Sequence, residues 1–199
     1  MASIATFAAS WNAGLNMPAR KTNIEKADLL GERLVGGASE AVAFLAEELG
    51  NRCKVGFLDA TKASQFIIEI IAFYMHMIDR MAFALLGSAE REAFGDRLVL
   101  SVLREALREL GDETSRDDFG PALRETYNRR QVQYARYKVP IPPEGEPLMG
   151  TLNWEFSKIL FGFLDTDNPA VLMFLSLLVA ETTKTMLAEA LKVEEVLLG

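Results

Sequence analysis

The stretch Phe66–Gly87, FIIEIIAFYMHMIDRMAFALLG, decides the fold. Its ionisable residues are Glu69, His76, Asp79 and Arg80, and His76 is the only histidine in the chain. Everything else in it is apolar, aromatic or small. On a helix turning about 100° per residue, His76 lies about 20° behind Glu69, Arg80 about 20° ahead and Asp79 about 80° behind. With Gln65 they fill one sector about 100° wide, whereas the polar face of a surface helix usually takes well over half the circumference. The spacing predicts a helix covered on most of its sides, a buried central helix with one narrow polar stripe.

The flanking sequence reads as helix and connector throughout, with no strand-like alternation of any length. Thr22 and Glu25 form a capping box ahead of a helix whose apolar positions run from Ile24 to Leu49, with Gly50 as its expected stop. Gly36-Gly37 inside it is expected to mark a kink or a close helix crossing. The segment 89–111 is amphipathic, with Gly111 as its end. Pro121 is expected at the first position of the next helix, which runs to about Tyr137. The connector 139–150 contains four prolines and cannot be helical. A helix over about 151–164 follows, and then Asn168 and Pro169 cap a last helix running nearly to the C-terminus. These elements predict an all-α, single-domain bundle of about six or seven helices spanning residues 1–199.

Half of the 199 residues are hydrophobic, so the core can be generous without a disulfide framework. The single cysteine, Cys53, fits a reducing, cytoplasmic setting. The formal net charge of −7 argues against a nucleic-acid partner, whose phosphates are met with Lys and Arg. Charge is uneven: in residues 139–199 three lysines against nine carboxylates leave −6. No positive residue precedes Arg20, so the N-terminal segment is expected to belong to the mature protein. No membrane span is expected: the central stretch carries four ionisable groups, and the apolar run from Pro169 is only twelve residues long before Glu181.

Several chemistries are excluded by motif. A di-iron carboxylate bundle needs Glu-x-x-His twice, and here Phe73 stands three residues before the only histidine. The zincin, P-loop, dinucleotide and nucleophile-elbow motifs are missing. Asp165 opens a calcium-loop-like DTDN, but Pro169 and a serine at its twelfth position, Ser176, spoil it. No cofactor and no metal is expected.

Three readings of the central stripe stay open at this stage: a solvated edge, a buried polar network, or a site. As a site, His76 oriented by Asp79 would serve as a general base, or share a divalent metal with it. Glu69 to Asp79 spans about 15 Å along the axis, too far for one ion. A second constellation lies on the helix LRETYNRRQVQYARYK, Leu123–Lys138. Tyr127, Tyr134 and Tyr137 share a face there, amid Arg124, Arg129, Arg130, Arg136 and Lys138. Aromatic rings mixed with arginines suit an anionic ligand. The expected function is a non-enzymatic binding or interaction protein, most simply a homodimer. It would hold a small apolar or anionic ligand, or a partner helix, against Glu69, His76, Asp79, Arg80, Tyr127, Arg130, Tyr134 and Tyr137. The alternative is a hydrolase or lyase, metal-dependent or with His/Asp general-base chemistry, centred on His76 and Asp79.

Overall fold

A computed structural model describes residues 21–57, 59–109, 113–143 and 145–198. The expectation for the N-terminal segment before Lys21 and the expected helix stop at Gly111 lie outside them. Among the described residues the chain is all helix and connector, with one isolated bridge between Phe57 and Leu164. The helices are α1 (Asn23–Glu48), α2 (Ala60–Leu85), α3 (Ser88–Glu109), α4 (Glu113–Tyr134), α5 (Leu152–Phe161), α6 (Pro169–Thr185) and α7 (Val193–Leu198).

The bundle forms around α2. Ile68 to Ile78 are buried without interruption, and α2 touches α1, α3, α4, α5 and α7. Phe73 stacks flat on Phe156 of α5 at 3.9 Å between ring centroids and meets Tyr134 of α4 edge-on at 5.9 Å. Phe66 packs edge-on against Phe57 and Phe163. Each fully buried side chain of this size contributes about 1.5–3 kcal/mol, so α2 carries much of the core. Glu69 and His76 lie inside it, 3% and 4% exposed, so the polar stripe is not a solvated face at those positions.

The capping box at Thr22 and Glu25 is formed, with the carboxylate reaching back to the Thr22 amide at 2.7 Å. Asp59 caps α2, Thr151 caps α5, and Asn168 with Pro169 opens α6. Three boundaries differ from the expectation. Gly50 does not stop the first helix; the chain widens into a π-helical turn, Leu49–Cys53, and is turned by Lys54 at φ 58°. Pro121 sits inside α4 rather than at its start. The residue before it is Gly120, which lacks the Cβ that a proline ring normally crowds out of helical geometry. The last helix is broken by a second π-helical turn, Met186–Ala190, and by Lys192 at φ 48° before α7.

Of the two readings of Gly36-Gly37, a close crossing holds at Gly37. A Cβ there would stand 2.6 Å from Cε of Met186, while one at Gly36 would meet nothing. Gly31 is tighter still. Its missing Cβ would lie 2.5 Å from Oγ of Ser101 and 3.0 Å from the backbone nitrogen of Val102. Alanine at these three sites should therefore give three results. Gly36→Ala gains helix propensity worth about 0.5–1 kcal/mol with no clash. Gly37→Ala is near neutral, because the methionine tip can swing aside. Gly31→Ala loses about 1–3 kcal/mol by forcing α3 off α1. Chemical denaturation of the three variants measures the order, and equal midpoints would remove the close α1–α3 approach as a constraint.

Candidate functional site

The stripe on α2 faces α4, and α4 lies across it. On one flank of α4, Arg130 grips Glu69 with both prongs, Nε to Oε2 at 2.7 Å and Nη2 to Oε1 at 2.6 Å. Arg129 adds a longer bond of 3.3 Å to Oε1, and Gln133 accepts from Nη1 of Arg130 at 2.5 Å. On the other flank, the Gln131 carbonyl oxygen meets Nδ1 of His76 at 2.6 Å. Tyr127 lies beside Asp79 and Arg91. Glu69 and Asp79 are about 15 Å apart along α2 by a rise of 1.5 Å per residue. One helix reaches both ends of that span from its two sides.

Burial works against the charge on Arg130, but the bonds and charge of Glu69 outweigh it and hold its pKa above the ordinary value. A two-pronged arginine–carboxylate bond is among the strong hydrogen bonds of proteins. His76 is governed by burial, which lowers its pKa, against the opposing bond to Gln131. A carbonyl oxygen at Nδ1 places the ring proton there. Nε2 is then a buried acceptor, and it has no partner. The Tyr134 hydroxyl is likewise buried and without a partner, and its ring meets that of His76 edge-on at 5.3 Å. Burial, followed by the charge of Glu69, raises the Tyr134 pKa. Tyr127 is pushed up to about 12, first by burial and then by Asp79.

His76 and Asp79 are not joined in any described hydrogen bond. Asp79 takes both prongs of Arg91, at 3.0 and 2.7 Å, and that guanidinium also lies 5.0 Å over the ring of Phe83. Arg80 donates to the backbone carbonyls of Tyr137 and Lys138 at 2.6 and 3.0 Å, tying down the chain just past the end of α4. Tyr137 is half-buried there. Its pKa is raised by desolvation first and by the nearby Glu155 next.

The eight residues expected to hold a ligand thus line the contact between α2, α4 and the chain beyond α4, but they do not surround one cavity. Glu69 borders a cleft of about 310 Å³ with Gln65, Thr126 and Arg129. Asp79 and Tyr127 border another of about 410 Å³ with Arg91 and Asp96. His76, Arg80, Arg130, Tyr134 and Tyr137 line neither. Among the described residues, no three His, Cys, Asp or Glu side chains gather where they could hold a metal ion.

Sequence reasoning missed the partners Arg91, Gln131 and Gln133. Gln131 had a faint signal, since it stands three residues before Tyr134 on a neighbouring part of the helix surface. Arg91 had none, because its meeting with Asp79 depends on how α3 folds back on α2. Lys26 was missed too. It is 2% exposed and donates to the carbonyl of Leu197 at 2.6 Å, pinning α7 to α1.

Two outcomes follow. Removing one partner of the fork leaves a charge stranded, so Glu69→Leu alone and Arg130→Met alone should each cost about 3–5 kcal/mol, while the double substitution costs far less. Urea unfolding of all four proteins measures the coupling; additive losses would show that the fork is not a closed pair. His76 has its pKa lowered in the folded state, so protons prefer the unfolded chain. Its contribution is therefore complete above about pH 6.5 and is lost as pH falls from there toward the folded-state value. Unfolding free energies from about pH 7.5 down to pH 5 should slope downward, and His76→Gln should flatten that slope.

Compared with models of protein families, with curated proteins and with solved structures, the chain matches none.

Proposed function

We propose that this protein is a non-enzymatic helical interaction module, and that its working surface is an apolar groove where α1 and α6 lie side by side. The observation that carries this reading is an apolar cleft beside α1 and α6 with exposed apolar side chains on both helices. Phe44 on α1, 45% exposed, lines a cleft of about 320 Å³, and on α6 Met173 and Leu177, 46% and 57% exposed, precede the cleft residue Glu181 by about two turns and one turn. Gly37 and Ala41 form its buried floor, with Phe44 and Ala190 exposed at its edges. The stretch Pro169–Leu198 is long and apolar enough to cross a membrane by length and composition, yet only 39% of its most apolar window is buried. Apolar surface left open on α6 is surface that a further partner would cover.

The stripe on α2 is read as a clasp. Its carboxylates are held in two-pronged bonds, Arg80 is held by carbonyls, and His76 is 4% exposed, beneath Gln131 and Tyr134. A hydrolase or lyase centred on His76 and Asp79 finds less support, because the two side chains serve different partners.

The test is a double substitution on the exposed face, Phe44→Ser with Leu177→Ser. Surface positions of this kind change stability by about 0.5 kcal/mol or less each. Fluorescence of an uncharged apolar-surface dye such as Nile red should fall while the melting temperature stays within a few degrees. An unchanged dye signal, or a cooperative loss of fold, would overturn the assignment.

A further inference from the structure

We propose that the α1–α6 groove takes a basic amphipathic helix of a partner protein. The inference rests on the interaction reading above and adds the chemistry of the partner. The groove is lined by Gly37, Glu40, Ala41 and Phe44 from α1, and by Glu181, Thr182, Thr185, Met186 and Ala190 from the other side. On α1 these positions fall at i, i+3, i+4 and i+7, one continuous face. No lysine or arginine is among them. Glu40 and Glu181 are both exposed, so an apolar floor is framed by carboxylates on both banks. Glu47 continues the α1 bank two turns beyond Glu40. Cations stand at both ends and each is engaged within the chain: Arg33, one turn before Gly37, donates to the Leu191 carbonyl at 3.0 Å, and Arg52 lies 5.9 Å over Phe174 and is paired with Glu48 at 2.6 Å.

Charge decides the occupant. A second copy laid symmetrically on this groove would set acidic banks against acidic banks, which opposes association. A helix with an apolar stripe and lysines or arginines at its edges meets the groove with opposite sign. The larger cleft of about 640 Å³ between Met81 and α7 offers no such preference. Its exposed charges are Lys184 and Lys192 beside Glu194 and Glu195.

The probe is a synthetic amphipathic helix of leucine and lysine, with a leucine–glutamate peptide of the same pattern as its counterpart. Calorimetry with the whole chain should show the Leu/Lys peptide binding and the Leu/Glu peptide failing. Affinity should fall as salt is raised. Reversing the banks, Glu40→Lys with Glu181→Lys, should weaken binding about five- to thirtyfold, as expected for two rim charges. The same reversal at Glu194 and Glu195 should leave it unchanged, and Phe44→Asp should abolish it. Equal binding of both peptides, or equal weakening by the two reversals, would overturn the proposal. So would concentration-dependent self-association that Phe44→Asp abolishes; that result would make a second copy the occupant and leave the interaction reading standing. No binding by either peptide would also overturn it, and the dye experiment on the exposed face would then show whether the interaction reading survives.

Discussion

A carboxylate in an apolar wall must be neutralised where it stands, and Glu69 sets that demand at the centre of the bundle. It is 3% exposed on the helix around which the bundle forms. An unpaired charge there would cost several kcal/mol, on the scale of the whole net stability of a domain. Arg130 answers it with a planar fork, and a fork tolerates little displacement. The position of α4 over α2 follows. Once Arg130 is seated, Gln131 on the next flank is carried to His76, and Tyr134 one turn on is carried between Phe73 and His76. Arg80 then holds the carbonyls at the end of the same helix. Hydrophobic burial drives α2 inward without choosing a neighbour's register. The polar contacts choose it.

What was legible in the sequence was local. The near-complete apolar circumference of α2 marked it as the central helix. The Thr22–Glu25 box and the Asn168-Pro169 pair marked helix starts through chemistry that acts within four residues. The errors were also local, and each has a competing cause. Gly50 was overridden because the chain continued in wider π geometry until Lys54 took the left-handed turn. Pro121 was tolerated because Gly120 precedes it. The break after Met186 carries no glycine or proline; a lysine, Lys192, adopts the left-handed conformation instead, and no spacing rule announces that.

The candidate residues were legible as a set and not as pairs. Both helical faces, the α2 stripe and the Tyr–Arg face, turned out to be neighbours. Their pairing depended on the crossing of α4 over α2 and on the return of α3, which no single-helix pattern encodes. His76 and Asp79, one turn apart, looked like natural partners. The structure separates them because each meets a stronger complement on another helix: a guanidinium for the carboxylate, an amide carbonyl for the imidazole Nδ1–H. Adjacency on one helix brings two side chains within reach, but the helices packed against it settle which bonds form.

The distribution of polar and apolar groups is thus partly inverted. Glu69, His76 and Lys26 are inside, while Phe44, Leu177 and Phe83, the last 69% exposed, are outside. The two halves of that inversion are unequal. The interior groups are matched within the chain, apart from orphaned acceptor and hydroxyl atoms such as those of His76 and Tyr134. Phe83 is partly matched too, since Arg91 lies over its ring. Phe44 stands in a groove whose banks carry Glu40 and Glu181, and Leu177 lies one turn before Glu181 on α6. Solvation of one chain gains nothing from placing apolar groups between carboxylates. A partner that supplies apolar groups and positive charges along the same line gains from both. The surface of α1 and α6 therefore keeps apolar side chains, Phe44 and Leu177 among them, that the described contacts leave exposed.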